Sequence, residues 1–118
     1  MKYSKMVAML LATSFPMLFS TAHASEAWCS EDLAAVQTAI DAGIYYGRNA
    51  TSNKSNLEMK LDAAEAKLTY RKWDGAVDKL YDISEKATAW ADAPKEKLAD
   101  ATAINYAVAD AINCIGDL

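Results

Sequence analysis

Two rows of carboxylates carry the most regular chemistry in this chain. Glu58, Asp62 and Glu65 recur at i, i+4 and i+7, and Asp74, Asp78, Asp82 and Glu85 at i, i+4, i+8 and i+11. On a helix each row keeps to one face, where like charges four residues apart repel by about 0.2–0.5 kcal/mol. One reading is a patch kept for a basic partner, with Glu58, Asp62, Glu65, Asp78 and Asp82 as its charges and Tyr81 as an aromatic anchor among them. The other is an ordinary solvated face. Lys60, Lys67, Lys79 and Lys86 are interspersed, and Asp82 with Lys86 is itself a favourable pair. Paired carboxylates also serve as acid and base in glycoside hydrolysis, and composition leaves room for that, but a small helical domain offers little cleft for it.

Most other site chemistries lack their residues. His23 is the sole histidine. It sits at the edge of an N-terminal segment that reads as a secretory signal. Lys2 and Lys5 open that segment, Met6 to Phe19 is mostly apolar, and Ser20-Thr21-Ala22-His23-Ala24 ends it with small residues where signal peptidase needs them. The apolar run is short for a membrane span and holds Pro16. Cleavage after Ala24 divides the chain into a signal peptide, 1–24, and a single domain, 25–118, destined for the periplasm. The domain then has no histidine, which excludes serine–histidine and cysteine–histidine catalysis and histidine-containing zinc sites. Two cysteines cannot complete an all-thiolate zinc site. Gly43, Gly47, Gly75 and Gly116 are scattered, so no phosphate-binding loop is present. No catalytic residue, metal ligand or cofactor emerges from this reading.

Charge and cysteine usage narrow the partners. Without Lys2 and Lys5 the domain carries 10 basic and 16 acidic residues, a net charge of −6. That balance disfavours nucleic acid and anionic membrane and favours a basic protein surface. Cys29 and Cys114, the only two cysteines, lie near the ends of the 94 residues that follow Ala24 and read as one disulfide in an oxidising compartment.

Four helices must position these groups. Ser30 suits an N-cap, with Leu33, Val36, Ile40 and Ile44 following at helical spacing until Tyr45 and Tyr46. Gly47 to Ser55 is polar and aperiodic and predicts a loop, whose Arg48, Lys54 and neighbouring polar side chains could reach into a cleft. Ser55-Asn56-Leu57-Glu58 predicts a capping box opening a second helix with Leu57, Leu61, Ala64 and Leu68 inward. Trp73 and Asp74 open a third, with Ala76, Val77, Leu80, Ile83, Ala87 and Trp90 inward. Asp92-Ala93-Pro94 predicts a cap for a fourth helix from about Lys95 to Cys114, with Leu98, Ala101, Asn105, Val108, Ile112 and Ile115 on one face. Asn105 is either a satisfied polar core residue or the edge of that face. In an up-down-up-down bundle Cys29 and Cys114 meet at the same end, so bridge and topology support each other. The expected fold is an all-α four-helix bundle closed by one disulfide. Its many alanines imply a thin core, and a homodimer would bury more apolar surface. Trp73 and Trp90 fit the core or its edge, while Trp28, beside Cys29, suits packing over the disulfide or serving an interface.

Two resemblances follow from these residues. Leu57 to Ile115, notably Lys60-Leu61-Asp62-Ala63-Ala64-Glu65-Ala66-Lys67-Leu68, resembles small helical modules appended to secreted bacterial enzymes, which implies only a helical fold. The whole chain, with Trp28-Cys29 at the front of the domain and Asn113-Cys114 at its back, resembles the small periplasmic immunity proteins of type VI secretion systems, most of all the Vibrio members directed against a spike-borne muramidase. That resemblance implies a helical, often dimeric inhibitor that occupies the active-site groove of a peptidoglycan hydrolase. The hydrolase groove is expected to be basic, so an acidic inhibitor would be steered to it. The rival expectation is an exported helical adaptor or ligand-binding module of the cell envelope.

Overall fold

The structure, a computed structural model, describes residues 28–118, and the expected signal segment lies outside these residues. Four helices form, α1 (Ser30–Ala42), α2 (Ala50–Thr69), α3 (Trp73–Asp92) and α4 (Thr102–Gly116). Each packs on two neighbours in a closed ring, α1 on α2, α2 on α3, α3 on α4 and α4 back on α1. This is the up-down-up-down bundle that the cysteine positions imply. Cys29 and Cys114 are bonded, with their Cα atoms 5.9 Å apart across a sequence separation of 85.

The core comes from one stripe per helix. Leu33, Val36 and Ile40 of α1 meet Leu57, Leu61, Ala64 and Leu68 of α2, Ala76, Leu80, Ile83 and Ala87 of α3, and Ile104, Val108, Ala111 and Ile115 of α4. These residues recur at three and four positions, which keeps them on one side of each helix. Trp73, Val77 and Trp90 are partly buried against this core, at the edge of the α3 stripe.

Helix ends differ from the sequence expectation in three places. Ser30 does not cap α1; it is the first helical residue, and Cys29 takes the cap position in a left-handed conformation (φ 57°) with no side-chain cap hydrogen bond. The disulfide dictates that turn, because Cys29 must point inward at Cys114. The loop expected over Gly47 to Ser55 is mostly helix, since α2 begins at Ala50; α1 in turn ends at Ala42, before the expected Tyr45 and Tyr46, so the connection runs over residues 43–49. Gly47, at φ 91°, supplies the left-handed turn that permits this. Beyond it no glycine or proline stops the helix, and serine, threonine and asparagine lower helix propensity only modestly. Ser55 and Glu58 therefore lie inside α2 rather than forming a capping box.

The third difference concerns α4. The helix starts at Thr102, and residues 93–101 run as an irregular segment. Asp100, not Asp92, holds the helix start, its Oδ1 accepting from the Thr102 backbone N–H (2.9 Å) and from Thr102 Oγ1 (2.7 Å). These two hydrogen bonds, side chain first, hold the Asp100 carboxyl below its usual range. Leu98 is fully buried, but from this segment, where it forms an isolated antiparallel bridge with Tyr45. The Tyr46 N–H donates to the Lys97 carbonyl and the Ala99 N–H to the Ile44 carbonyl, both at 2.9 Å. Ala101, Val108 and Ile115 are buried as expected, but Ile104 and Ala111 take the inward places expected of Asn105 and Ile112. Asn105 is the stripe's polar edge. It accepts a hydrogen bond from Ser84 Oγ and donates to Thr88 Oγ1 (3.0 Å), tying α4 to α3. Ile44 also leaves its expected stripe. It follows the last turn of α1 and is 61% exposed.

The bundle is thus closed at both ends, by a disulfide at one and by hydrogen bonds between the α1–α2 and α3–α4 connections at the other. Replacing both cysteines, Cys29→Ser with Cys114→Ser, is expected to lower unfolding stability by about 4 kcal/mol, the chain-entropy scale for a loop of this length. Urea unfolding followed by far-ultraviolet circular dichroism measures the difference.

Candidate functional site

Helix geometry sorts the charged residues of α2 onto two sides. At about 100° per residue, Glu58, Asp62 and Glu65 turn toward α1, while Lys60 and Lys67 turn toward α3. The contacts agree. Glu58 Oε2 accepts from Gln37 Nε2 of α1 at 3.1 Å, whereas Lys60 Nζ lies 3.8 Å from Asp82 Oδ2 of α3. The Lys67 stem lies beside Gly75 of α3, where an added Cβ would meet its Cδ at 2.9 Å. Glycine in the first turn of α3 therefore makes room for a lysine stem between the two helices.

The six expected contact residues do not form one surface. Glu58, Asp62 and Glu65 line the α1 side of α2. Asp78 points outward from α3, Asp82 leans toward Lys60, and Tyr81 lies on the outer face of α3 toward α4, 53% exposed. The structure brings each row together within itself and holds the two rows apart across the outer face of α2. Of the basic residues expected in a loop, Arg48 remains at an exposed turn. Lys54 is part of α2 and pairs with Asp41 of α1 at 3.4 Å.

The groove between α1 and α2 holds a cleft of about 340 Å³ lined by Trp28, Ser30, Leu33, Ala34, Glu65, Leu68 and Thr69. Leu33 and Leu68 are its buried floor, Trp28 an aromatic wall and Glu65 a carboxylate at the rim. Partial burial, and then the neighbouring Asp62 charge, push the Glu65 carboxyl up from its ordinary value. Negative charge is thus concentrated along this side of α2.

Trp28 is fixed by its own neighbours. Its ring meets Trp73 edge-to-face, with centroids 5.2 Å apart and planes at 73°, and the Arg71 guanidinium lies 5.1 Å from the Trp28 centroid. Arg71 reaches that place from an unusual backbone. It adopts φ 60° after the last turn of α2, with its N–H donating to the Leu68 carbonyl and the Lys72 N–H to the Lys67 carbonyl. That is a Schellman ending, whose left-handed position usually holds glycine. The stacked guanidinium offsets part of the conformational cost of arginine there. A second, shallower cleft lies beside this stack, lined by Trp28, Arg71, Trp73 and Leu118.

At the far end, Gln37 Nε2 also donates to Asp41 Oδ1 (3.0 Å), and the Tyr45 hydroxyl donates to the Ile40 carbonyl (2.8 Å). Burial, then the Glu58 and Asp41 charges, push the Tyr45 phenol up to about 12. This group staples α1 to α2 and to the connection that follows α1. Beside the disulfide, the Asp32 carboxylate lies within 4.8 Å of both sulfurs, but the sulfurs are bonded to each other and provide no thiolate ligands.

The Trp28 cleft is the feature that sequence reasoning missed. From the sequence, Trp28 reads as packing over the disulfide or serving an interface, not as the wall of a cleft. Its approach to Glu65 depends on how α1 and α2 pack, which no local pattern encodes. Among the described residues, no helix is long and apolar enough to cross a membrane. Comparison with protein-family models, with curated proteins and with solved structures finds no match to this chain.

Because the Glu65 carboxyl is raised in the folded protein, its ionisation disfavours folding. The cost is absent at acidic pH, where the group is protonated in both states, and appears as pH rises through the carboxylate range. Glu65→Gln is expected to melt at a higher temperature than the parent protein at pH 7 and at the same temperature near pH 3, which thermal denaturation at the two pH values tests.

Proposed function

We propose that this chain is a periplasmic immunity protein that binds a peptidoglycan-hydrolysing, muramidase-like effector and inhibits it by occluding its active-site groove. The observation that carries this reading is the segregation of charge on the bundle. Lys60 and Lys67 are committed between α2 and α3, while the acidic row of α2 and the outward acids of α3 face solvent on a covalently closed frame. A rigid partner presenting carboxylates and exposed aromatics suits a cleft that is basic because it handles an anionic wall polymer. The mechanism is steric. The bundle seats over the catalytic carboxylates and keeps glycan out, and it needs no nucleophile, metal or cofactor of its own. Export by the N-terminal signal places it where an incoming hydrolase would act, and homodimer formation would present two such surfaces.

The direct test expresses a muramidase-like hydrolase, sought among the products of genes beside this one, in the periplasm with and without this protein and follows culture density. Protection that depends on the signal segment supports the reading, and lysis despite normal periplasmic levels of the protein rejects it. At the level of residues, reversing charge at Asp78→Lys and Asp82→Lys together is expected to slow association with the hydrolase about tenfold at low salt, with a smaller effect at high salt. Surface plasmon resonance at two salt concentrations measures this, and unchanged circular dichroism shows that the bundle is intact.

A further inference from the structure

We infer that the cleft between α1 and α2 beside Trp28 is a receptor for a single lysine or arginine side chain of a protein partner. The cleft suits a long cationic side chain at both of its ends. Leu33, Ala34 and Leu68 offer apolar surface to an alkyl stem, and Glu65 at the rim offers the counter-charge, with the Ser30 and Thr69 side chains beside it. Long basic side chains prefer this division, with the stem on apolar surface and the head in a polar setting.

Two observations favour a cation over other ligands. Asp62 and Glu58 continue the negative row from Glu65 along the same side of α2, so the potential at the cleft attracts positive charge. Among the described residues no lysine or arginine lies within ion-pair distance of Glu65; the nearest basic residues of α2 turn toward α3, Lys60 to Asp82 and Lys67 beside Gly75. An aromatic wall with a carboxylate and hydroxyls would also suit an uncharged saccharide, but the negative row adds nothing to saccharide binding and directly favours a base.

This proposal rests on the inhibitor reading for the identity of the partner, whose basic groove would supply the side chain, but the cleft's preference can be measured without that partner. The purified protein, labelled with nitrogen-15, is titrated with a capped tetralysine peptide, a capped tetraglutamate peptide and an N-acetylglucosamine trimer. Tetralysine alone is expected to shift the Trp28 indole and the amides of Ser30, Ala34, Glu65 and Thr69. Glu65→Gln is expected to weaken that binding about threefold to fivefold, the scale of a partly shielded ion pair. Ala34→Leu, which fills the cleft from an exposed position, is expected to abolish the localised shifts. Asp110→Asn removes the same charge from the exposed face of α4 and is expected to leave binding unchanged. Shifts produced by the trimer and not by tetralysine, or equal weakening by Glu65→Gln and Asp110→Asn, would overturn the proposal. The lysis assay separates it from the inhibitor reading. Full protection by an Ala34→Leu variant that no longer binds tetralysine overturns the cleft and leaves immunity standing, whereas cleft binding without protection supports the cleft and rejects immunity.

Discussion

The bond between Cys29 and Cys114 is the constraint on which the rest of this structure depends. It joins the residue that precedes α1 to the last turn of α4, so the first and last helices are held side by side and the other two must close the ring. A domain of this size, with many alanines on its inner faces, buries little apolar surface per residue, and covalent closure compensates by restricting the unfolded chain. The bond also has a local consequence. Holding Cys29 in a left-handed conformation at the start of α1 redirects the chain so that Trp28 lies against Trp73 and Arg71 from the α2–α3 turn. One end of the bundle therefore gathers three separate stretches of sequence, and the aromatic wall of the α1–α2 cleft is a product of that gathering.

Helix α2 is the shared wall of two different interfaces. Toward α3 it places two of its three lysines in contacts inside the protein, Lys60 on Asp82 and Lys67 laid over Gly75, while Lys54 pairs with Asp41 of α1. Toward α1 it presents Glu58, Asp62 and Glu65, and only Glu58 is drawn into an interhelical hydrogen bond. An exposed arrangement of like charges four residues apart is mildly unfavourable for a lone helix. Retaining it beside an open groove fits a surface shaped by association as well as by folding, where a small loss of stability accompanies a gain in steering toward a basic partner.

Much of this was legible in the sequence, for identifiable reasons. The inward residues of α2 and α3, and most of those of α1, follow the helical period over long segments, and the two cysteines support the alternating topology because it puts the start of α1 and the end of α4 at one end. Legibility failed where tertiary contacts override local signals. Pro94 suggested a helix start, yet Leu98 is buried through its bridge to Tyr45, a contact between two connections far apart in sequence. That delayed α4 to Thr102, whose N–H the Asp100 carboxylate accepts, and Ile104 and Ala111 replace Asn105 and Ile112 on the inward face. The Ser- and Asn-rich stretch after Asn49 reads as a loop by composition, but nothing in it blocks the helix and Lys54 anchors it to Asp41. For the site, the acidic rows were visible from spacing alone, whereas their division onto separate faces and the meeting of Trp28 with the groove of Glu65 appear only once the helices are packed.

The central claim is that this bundle inhibits a wall hydrolase by occupying its groove. The measurement that tests it most directly is clearance of a peptidoglycan suspension by a purified muramidase-like hydrolase encoded beside this gene, followed by turbidity while the protein is titrated in. The account predicts that clearance falls in proportion to added protein until each active site is covered, and that excess peptidoglycan slows the onset of inhibition by competing for the same groove. Clearance that continues unchanged at a large excess of correctly folded, disulfide-bonded protein would contradict it.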